Sequence, residues 1–143
     1  MVAETIRTTF DPLDIDIHAT VVPYTRMTQR GKYVKPNALR YLASQKELKL
    51  LMSIANHNRE YYKMYYVPEK CPFGVQMTFY VNRLHYCDLD NLLKAVMDAG
   101  NGILYKDDMW CDEFGKTKRV LIEGEPYVRL TIYPLEEQHD KNK

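Results

Sequence analysis

Apolar and polar residues alternate from position 13 to 21, with Leu13, Ile15, Ile17, Ala19 and Val21 on one side and Asp14, Asp16, His18 and Thr20 on the other. A period of two marks a strand with one buried and one polar face, and Pro23 ends it. Residues 24–35 contain Gly31 and keep no steady period, which predicts a loop or a ragged hairpin. Pro36 suits the first position of a helix. From 37 to 62 the apolar residues Leu48, Leu51, Ile54, Ala55 and Tyr62 recur at helical steps, predicting a helix that buries them. Pro68 and Pro72 break the chain before a second alternation, in which Phe73, Val75, Met77, Phe79 and Val81 interleave with Gly74, Gln76, Thr78 and Tyr80. A second helix is predicted over 89–99, ending at Gly100 or Gly102. A loop over 105–108 follows, then strands at 114–122 and 127–133 joined by a tight Glu-Gly-Glu-Pro turn at 123–126. The order β-α-β-α-β-β predicts an α+β fold, a small mixed β-sheet with both helices packed on one face. No repeat or long linker interrupts the 143 residues. The chain is therefore expected to be a single domain with a frayed charged tail at about 136–143.

Composition narrows the class. Hydrophobic residues are 45% and charged residues 27% of the chain, the balance of a soluble globular protein. The apolar runs are too short for a transmembrane helix, and acids stand where an export signal has its apolar core. Cys71, Cys87 and Cys111 are an odd count without C-x-x-C spacing, which favours reduced thiols over zinc. A cytoplasmic location is expected.

The net charge of +1 conceals segregation. Arg26, Arg30, Lys32, Lys35, Arg40 and Lys46 occur between Pro23 and Lys46 with no acid among them, and Lys116, Lys118 and Arg119 form a second basic cluster. Between Leu84 and Glu113 the acids Asp88, Asp90, Asp98, Asp107, Asp108, Asp112 and Glu113 outnumber Lys94 and Lys106. Basic segments can bind phosphate and acidic clusters can bind divalent metal, so the two together suit a metal-dependent enzyme acting on nucleic acid; charge alone fits solvated faces equally.

The acids have a spacing. Asp90, Asn91, Lys94 and Asp98 fall on one broad face of the second predicted helix. Asp88 stands at its N-cap, and the next loop delivers Asp107 and Asp108. If that loop folds back, three or four carboxylates converge. Mg²⁺ takes such hard oxygen ligands together with water and phosphate, and one or two ions activate water against a phosphodiester. A lysine beside them offsets phosphate charge or aligns the water. Each residue alone also has an ordinary role as cap, dipole partner or surface ion pair; crowded together, the carboxylates repel unless a cation is present.

The set Asp88, Asp90, Asn91, Lys94, Asp98, Asn101, Gly102, Asp107 and Asp108 resembles the signature of the RusA family of Holliday-junction resolvases. Pro23, Arg26 and Arg30, then Lys32 and Tyr33, are similar to that family's upstream motif, and the Lys116–Arg119 stretch and final strand to its ending. The resemblance implies a homodimeric, Mg²⁺-dependent endonuclease (Mn²⁺ a possible substitute) that cuts four-way branched DNA by paired symmetric nicks. It implies Asp88, Asp90 and Asp108 as metal-binding catalytic carboxylates and Lys94 as the catalytic lysine. Asn91, Asp98 and Asp107 take supporting roles, and Asn101 and Gly102 shape the turn. Arg26, Arg30, Lys32, Lys35, Lys116, Lys118 and Arg119 are the expected DNA-binding residues. Gly100 stands where the family has a larger apolar residue, so the helix is expected to end early, and Thr25, Met27, Thr28 and Gln29 dilute the basic stretch. Rival readings are a flap, single-strand or RNA-directed metal nuclease, a non-catalytic branched-DNA-binding protein, and a metal-buffered structural domain.

Overall fold

A computed structural model describes residues 9–25, 36–57 and 65–136. The elements are β1 (Leu13–Ile17), α1 (Pro36–His57), β2 (Phe73–Val81), α2 (Leu89–Gly100), a 3₁₀ turn (Asp108–Trp110), β3 (Cys111–Phe114), β4 (Lys118–Leu121) and β5 (Tyr127–Pro134). They form a mixed five-stranded sheet in the order β1-β5-β2, with β3 and β4 both paired to the far side of β2. β5 is antiparallel to β1 and β2, whereas β3 and β4 run parallel to β2.

The strand alternation has a direct consequence. Phe73, Val75, Met77, Phe79 and Val81 of β2 and Val128, Leu130 and Ile132 of β5 are buried and share one core with Leu48 and Met52 of α1 and Leu92 and Val96 of α2. The other sheet face is polar. There Asp16 accepts two bonds from Arg129 at 2.8 and 3.1 Å, Asp14 accepts from Thr131, and the rings of Tyr80 and Tyr127 stack.

Four expectations are adjusted. β1 stops at Ile17, because the Ala19 N–H turns back to the Ile17 carbonyl at 3.0 Å, although Ala19 and Val21 stay buried. α1 buries a stripe running through Tyr41, Ser44, Gln45, Leu48, Met52 and Asn56, leaving Ile54 54% exposed. Polar groups set that face: Ser44 Oγ accepts from Val22 N, Gln45 Nε2 donates to the Ala95 carbonyl and Asn56 Nδ2 to that of Ile103. The predicted strand 114–122 is two pieces, β3 and β4, broken at 115–117, and β3 already begins at Cys111, where its register on β2 shifts between Phe73 and Gly74. The Glu-Gly-Glu-Pro segment joins no hairpin, since β4 and β5 flank β2 on opposite sides; Asn82 Nδ2 pins the segment through the Ile122 and Gly124 carbonyls. Tyr62 and the charged tail beyond 136 lie outside the described residues.

α2 ends at Gly100 for a steric reason. The Tyr105 ring stacks on Phe73 at 4.9 Å and its hydroxyl donates to the Met97 carbonyl at 2.7 Å. A Cβ at Gly100 would collide with that phenol. Alanine in place of a helical glycine ordinarily gains about 0.5–1 kcal/mol. Here the clash reverses the sign, and Gly100→Ala is expected to lose about 1–3 kcal/mol. Urea unfolding of the two proteins checks this, and a stabilised variant would mean that Tyr105 yields without cost.

Candidate active site

α2 carries the acidic residues because its two faces differ. Leu92, Ala95, Val96, Met97 and Ala99 are buried, while Asp90, Asn91, Lys94 and Asp98 lie at least partly open. A cleft of about 380 Å³ runs along this second face, lined by Asp90, Asn91, Leu93, Lys94, Met97, Asp98, Asp108 and Phe114. Asp108 enters it from the fold-back after α2. Asn101 closes that fold-back twice: its Oδ1 accepts from the Asp108 N–H at 2.9 Å and its Nδ2 donates to Asp108 Oδ2 at 3.5 Å. Gly102, at φ +80°, makes the turn that Asn101 begins.

The remaining expected residues divide. Asp88 occupies the N-cap with extended backbone, but its side chain makes no capping hydrogen bond, and it lies outside the cleft lining. Asp107 accepts from the Met109 N–H at 3.0 Å and caps the 3₁₀ turn. Asp98 accepts from the Tyr41 hydroxyl at 3.1 Å. Lys116 and Lys118 are exposed, Lys118 on β4. Arg119 is half-buried and donates to the Cys87 carbonyl, so it steadies the peptide that precedes Asp88. Arg26, Arg30, Lys32 and Lys35 lie outside the described residues.

The carboxylates form a row, not a cage. Asp90 and Asp98 are eight residues apart on one helix, about 12 Å along its axis. Among the described residues, no three carboxylate, imidazole or thiol groups are close enough to hold a metal ion together. The expected three-way convergence is therefore not made by protein atoms alone. Mg²⁺ does not require it, because this ion keeps several waters and commonly uses one or two carboxylates plus substrate phosphate. The donor chemistry fits: carboxylate oxygens, and no thiol or imidazole, line the cleft. Cys71, Cys87 and Cys111 are free thiols, and burial pushes Cys111 up to about 11.

Two residues of this region carry no periodic signal in the sequence. Lys94 Nζ lies 4.0 Å from the centroid of the Tyr24 ring, and Tyr24 meets Tyr41 edge-on at 5.7 Å. The only hint was the place of Tyr24 between Pro23 and the basic stretch.

Burial first, then the hydrogen bond and charge of Asp107 and the charge of Asp98, hold the Asp108 carboxyl above its usual range, against the lowering bond from Asn101. An acid raised in the folded state costs stability when ionised. That cost is present above the folded value and vanishes as pH falls below the ordinary carboxylate range. Asp108→Asn is expected to raise the melting temperature of the metal-free protein at pH 7, not at pH 3, and to abolish stabilisation by Mg²⁺. Thermal melts at the two pH values, with and without Mg²⁺, check both parts.

No curated protein matches the chain at a significant level. The family model for "Endodeoxyribonuclease RusA" matches residues 21–133, which takes in α1, α2, the cleft and nearly all of β5. With most of its length matched, this chain belongs to the RusA family of endodeoxyribonucleases.

Proposed function

We infer that this chain is a Mg²⁺-dependent endonuclease that resolves four-way DNA junctions by paired symmetric nicks. The observation that carries the reading is one cleft holding Asp90, Lys94, Asp98 and Asp108 in a chain of this family. Asp90 and Asp108, which line the cleft, are the residues that would hold Mg²⁺, with Mn²⁺ as a substitute, and Asp88 at the head of α2 is the third carboxylate that the family motif implies. When bound, the metal supplies charge to the scissile phosphate and lowers the pKa of a water.

The chain's own groups do the rest. The exposed Lys94 reaches the cleft from the middle of α2 and offsets negative charge that develops on phosphate. Asn101 holds Asp108 at both its backbone and its carboxylate, so the acid is presented in one orientation. Phe114, 58% exposed, gives the cleft an apolar rim. Lys116 and Lys118, with the basic residues 26–35, grip flanking phosphates, a salt-sensitive and sequence-neutral contribution. A two-fold homodimer matches the approximate symmetry of a four-way junction and sets one cleft on each of two opposed strands.

Two measurements test this. On an immobile four-way junction beside matched duplex, wild type is expected to give paired nicks near the branch with Mg²⁺ and none with EDTA. Asp90→Asn should be inactive and Lys94→Ala about 100- to 1,000-fold slower. Cutting of flaps, single strands or RNA in preference to the junction would keep the metal chemistry and reject the substrate. Junction binding without nicking would leave a binding protein. In filter binding, Lys118→Ala should weaken junction and duplex alike and reduce the salt slope by about 1; an unchanged slope would remove Lys118 from the phosphate grip.

A further inference from the structure

Lys94 is placed where helix geometry favours pairing with an acid. Asp90 and Asp98 stand four residues before and after it on α2, the spacing at which lysine and aspartate meet. Yet among the described residues the ion pairs are Lys106–Glu69 and Arg129–Asp16, and Lys94 has none. Its ammonium lies over the face of Tyr24, 4.0 Å from the ring centroid, within the range at which a cation is held by an aromatic quadrupole.

The ring is itself fixed. The Tyr24 N–H donates to the Asn91 carbonyl of α2 at 3.0 Å. Tyr41, buried on α1, meets the ring edge-on at 88°, and its hydroxyl is tied to Asp98 at 3.1 Å. Asp98 is thereby engaged by a phenol, and Lys94 by a ring face, on either side of the pairing they would otherwise make.

We propose that Tyr24 is a positioning residue that seats the Lys94 ammonium and so keeps Asp90 free for the metal. The proposal rests on the function inferred above. Without the ring, Lys94 falls onto Asp90, four residues away, where it neutralises a carboxylate that Mg²⁺ needs and loses its own place beside the phosphate. Tyr24 also stands two positions before Arg26, so the ring that seats the lysine and the start of the basic stretch are one piece of chain.

The test compares Tyr24→Leu and Tyr24→Phe, each alone and with Lys94→Met. Three quantities are read: the Lys94 Hε proton shifts, the Mg²⁺ concentration at half-maximal thermal stabilisation, and the single-turnover nicking rate beside junction affinity in EDTA. In wild type the Lys94 Hε protons are expected upfield of ordinary lysine, because they lie in the ring current. Tyr24→Leu should lose that shift, raise the Mg²⁺ midpoint several-fold and slow nicking about tenfold, with junction affinity unchanged. Tyr24→Phe keeps the ring face and should recover most of each. In the Lys94→Met background, Tyr24→Leu should add nothing to the midpoint or the rate.

An ordinary Hε shift in wild type overturns the proposal without any variant. So does an equal effect of Tyr24→Leu with and without Lys94, which would make the ring a structural prop. If wild type fails to nick any junction, the inferred function falls, while the proton shifts and the Mg²⁺ midpoints still decide whether Tyr24 seats Lys94.

Discussion

The Tyr105 phenol crosses the last turn of α2, where its hydroxyl takes the Met97 carbonyl and its ring lies flat on Phe73 of β2. Only a residue without Cβ leaves room for it, and Gly100 is that residue. The crossing stops the helix and ties its end to the central strand. It also sends the chain around Asn101 and Gly102 so that Asp108 returns against the helix it has just left. A longer α2 would carry Asp108 away from Asp98 and Lys94. The cleft therefore depends on a packing contact among apolar and aromatic residues that hold no charge.

The sheet sets the wider frame. β2 pairs with β5 on one side and with β3 and β4 on the other, and the parallel pairings require a crossover between them. α2 is that crossover. Its inner face is anchored in the core by Leu92, Val96 and Met97, so the outer face is held at a fixed height above the sheet. α1 braces it from the side through polar contacts: Gln45 to the Ala95 carbonyl, Lys49 to the carbonyls of Asp98 and Ala99, and Tyr41 to the Asp98 carboxylate. Lysine at those last carbonyls also complements the negative end of the helix dipole.

Elements buried by a simple alternation were legible before the structure. β2 matches its expected bounds, and α2 ends at the first of the two glycines named for it. α1 was legible as a helix but not in its buried face, because Ser44, Gln45 and Asn56 are buried through hydrogen bonds that a hydrophobic period does not register. The break at 115–117 was invisible for a similar reason: the Gly115 N–H bonds to the Val75 carbonyl across the sheet, a constraint of register and not of composition. In the site, spacing placed Asp90, Asn91, Lys94 and Asp98 on one face, and the expected fold-back of the next loop brought Asp108 to it. Spacing could not show that no three of these acids come close enough to hold one ion, nor that two tyrosines from other segments engage Lys94 and Asp98.

These acids pose an electrostatic problem for a protein whose ligand is DNA. Asp90, Asp98 and Asp108 face the cleft with one lysine among them, so a phosphate approaching it meets net negative charge. Two like unit charges 4 Å apart repel by about 4 kcal/mol at an effective dielectric of 20. No arrangement of these side chains alone makes the cleft attractive to a phosphodiester. Either a divalent cation enters with the phosphate, or basic groups outside the cleft hold the strand against the repulsion. The chain's charge distribution suits both at once, with bases at 26–35 and 116–119 flanking the acids in sequence. The Asp108 carboxyl feels the same crowding inside the folded protein: burial first, then its neighbours Asp107 and Asp98, raise it above its ordinary range.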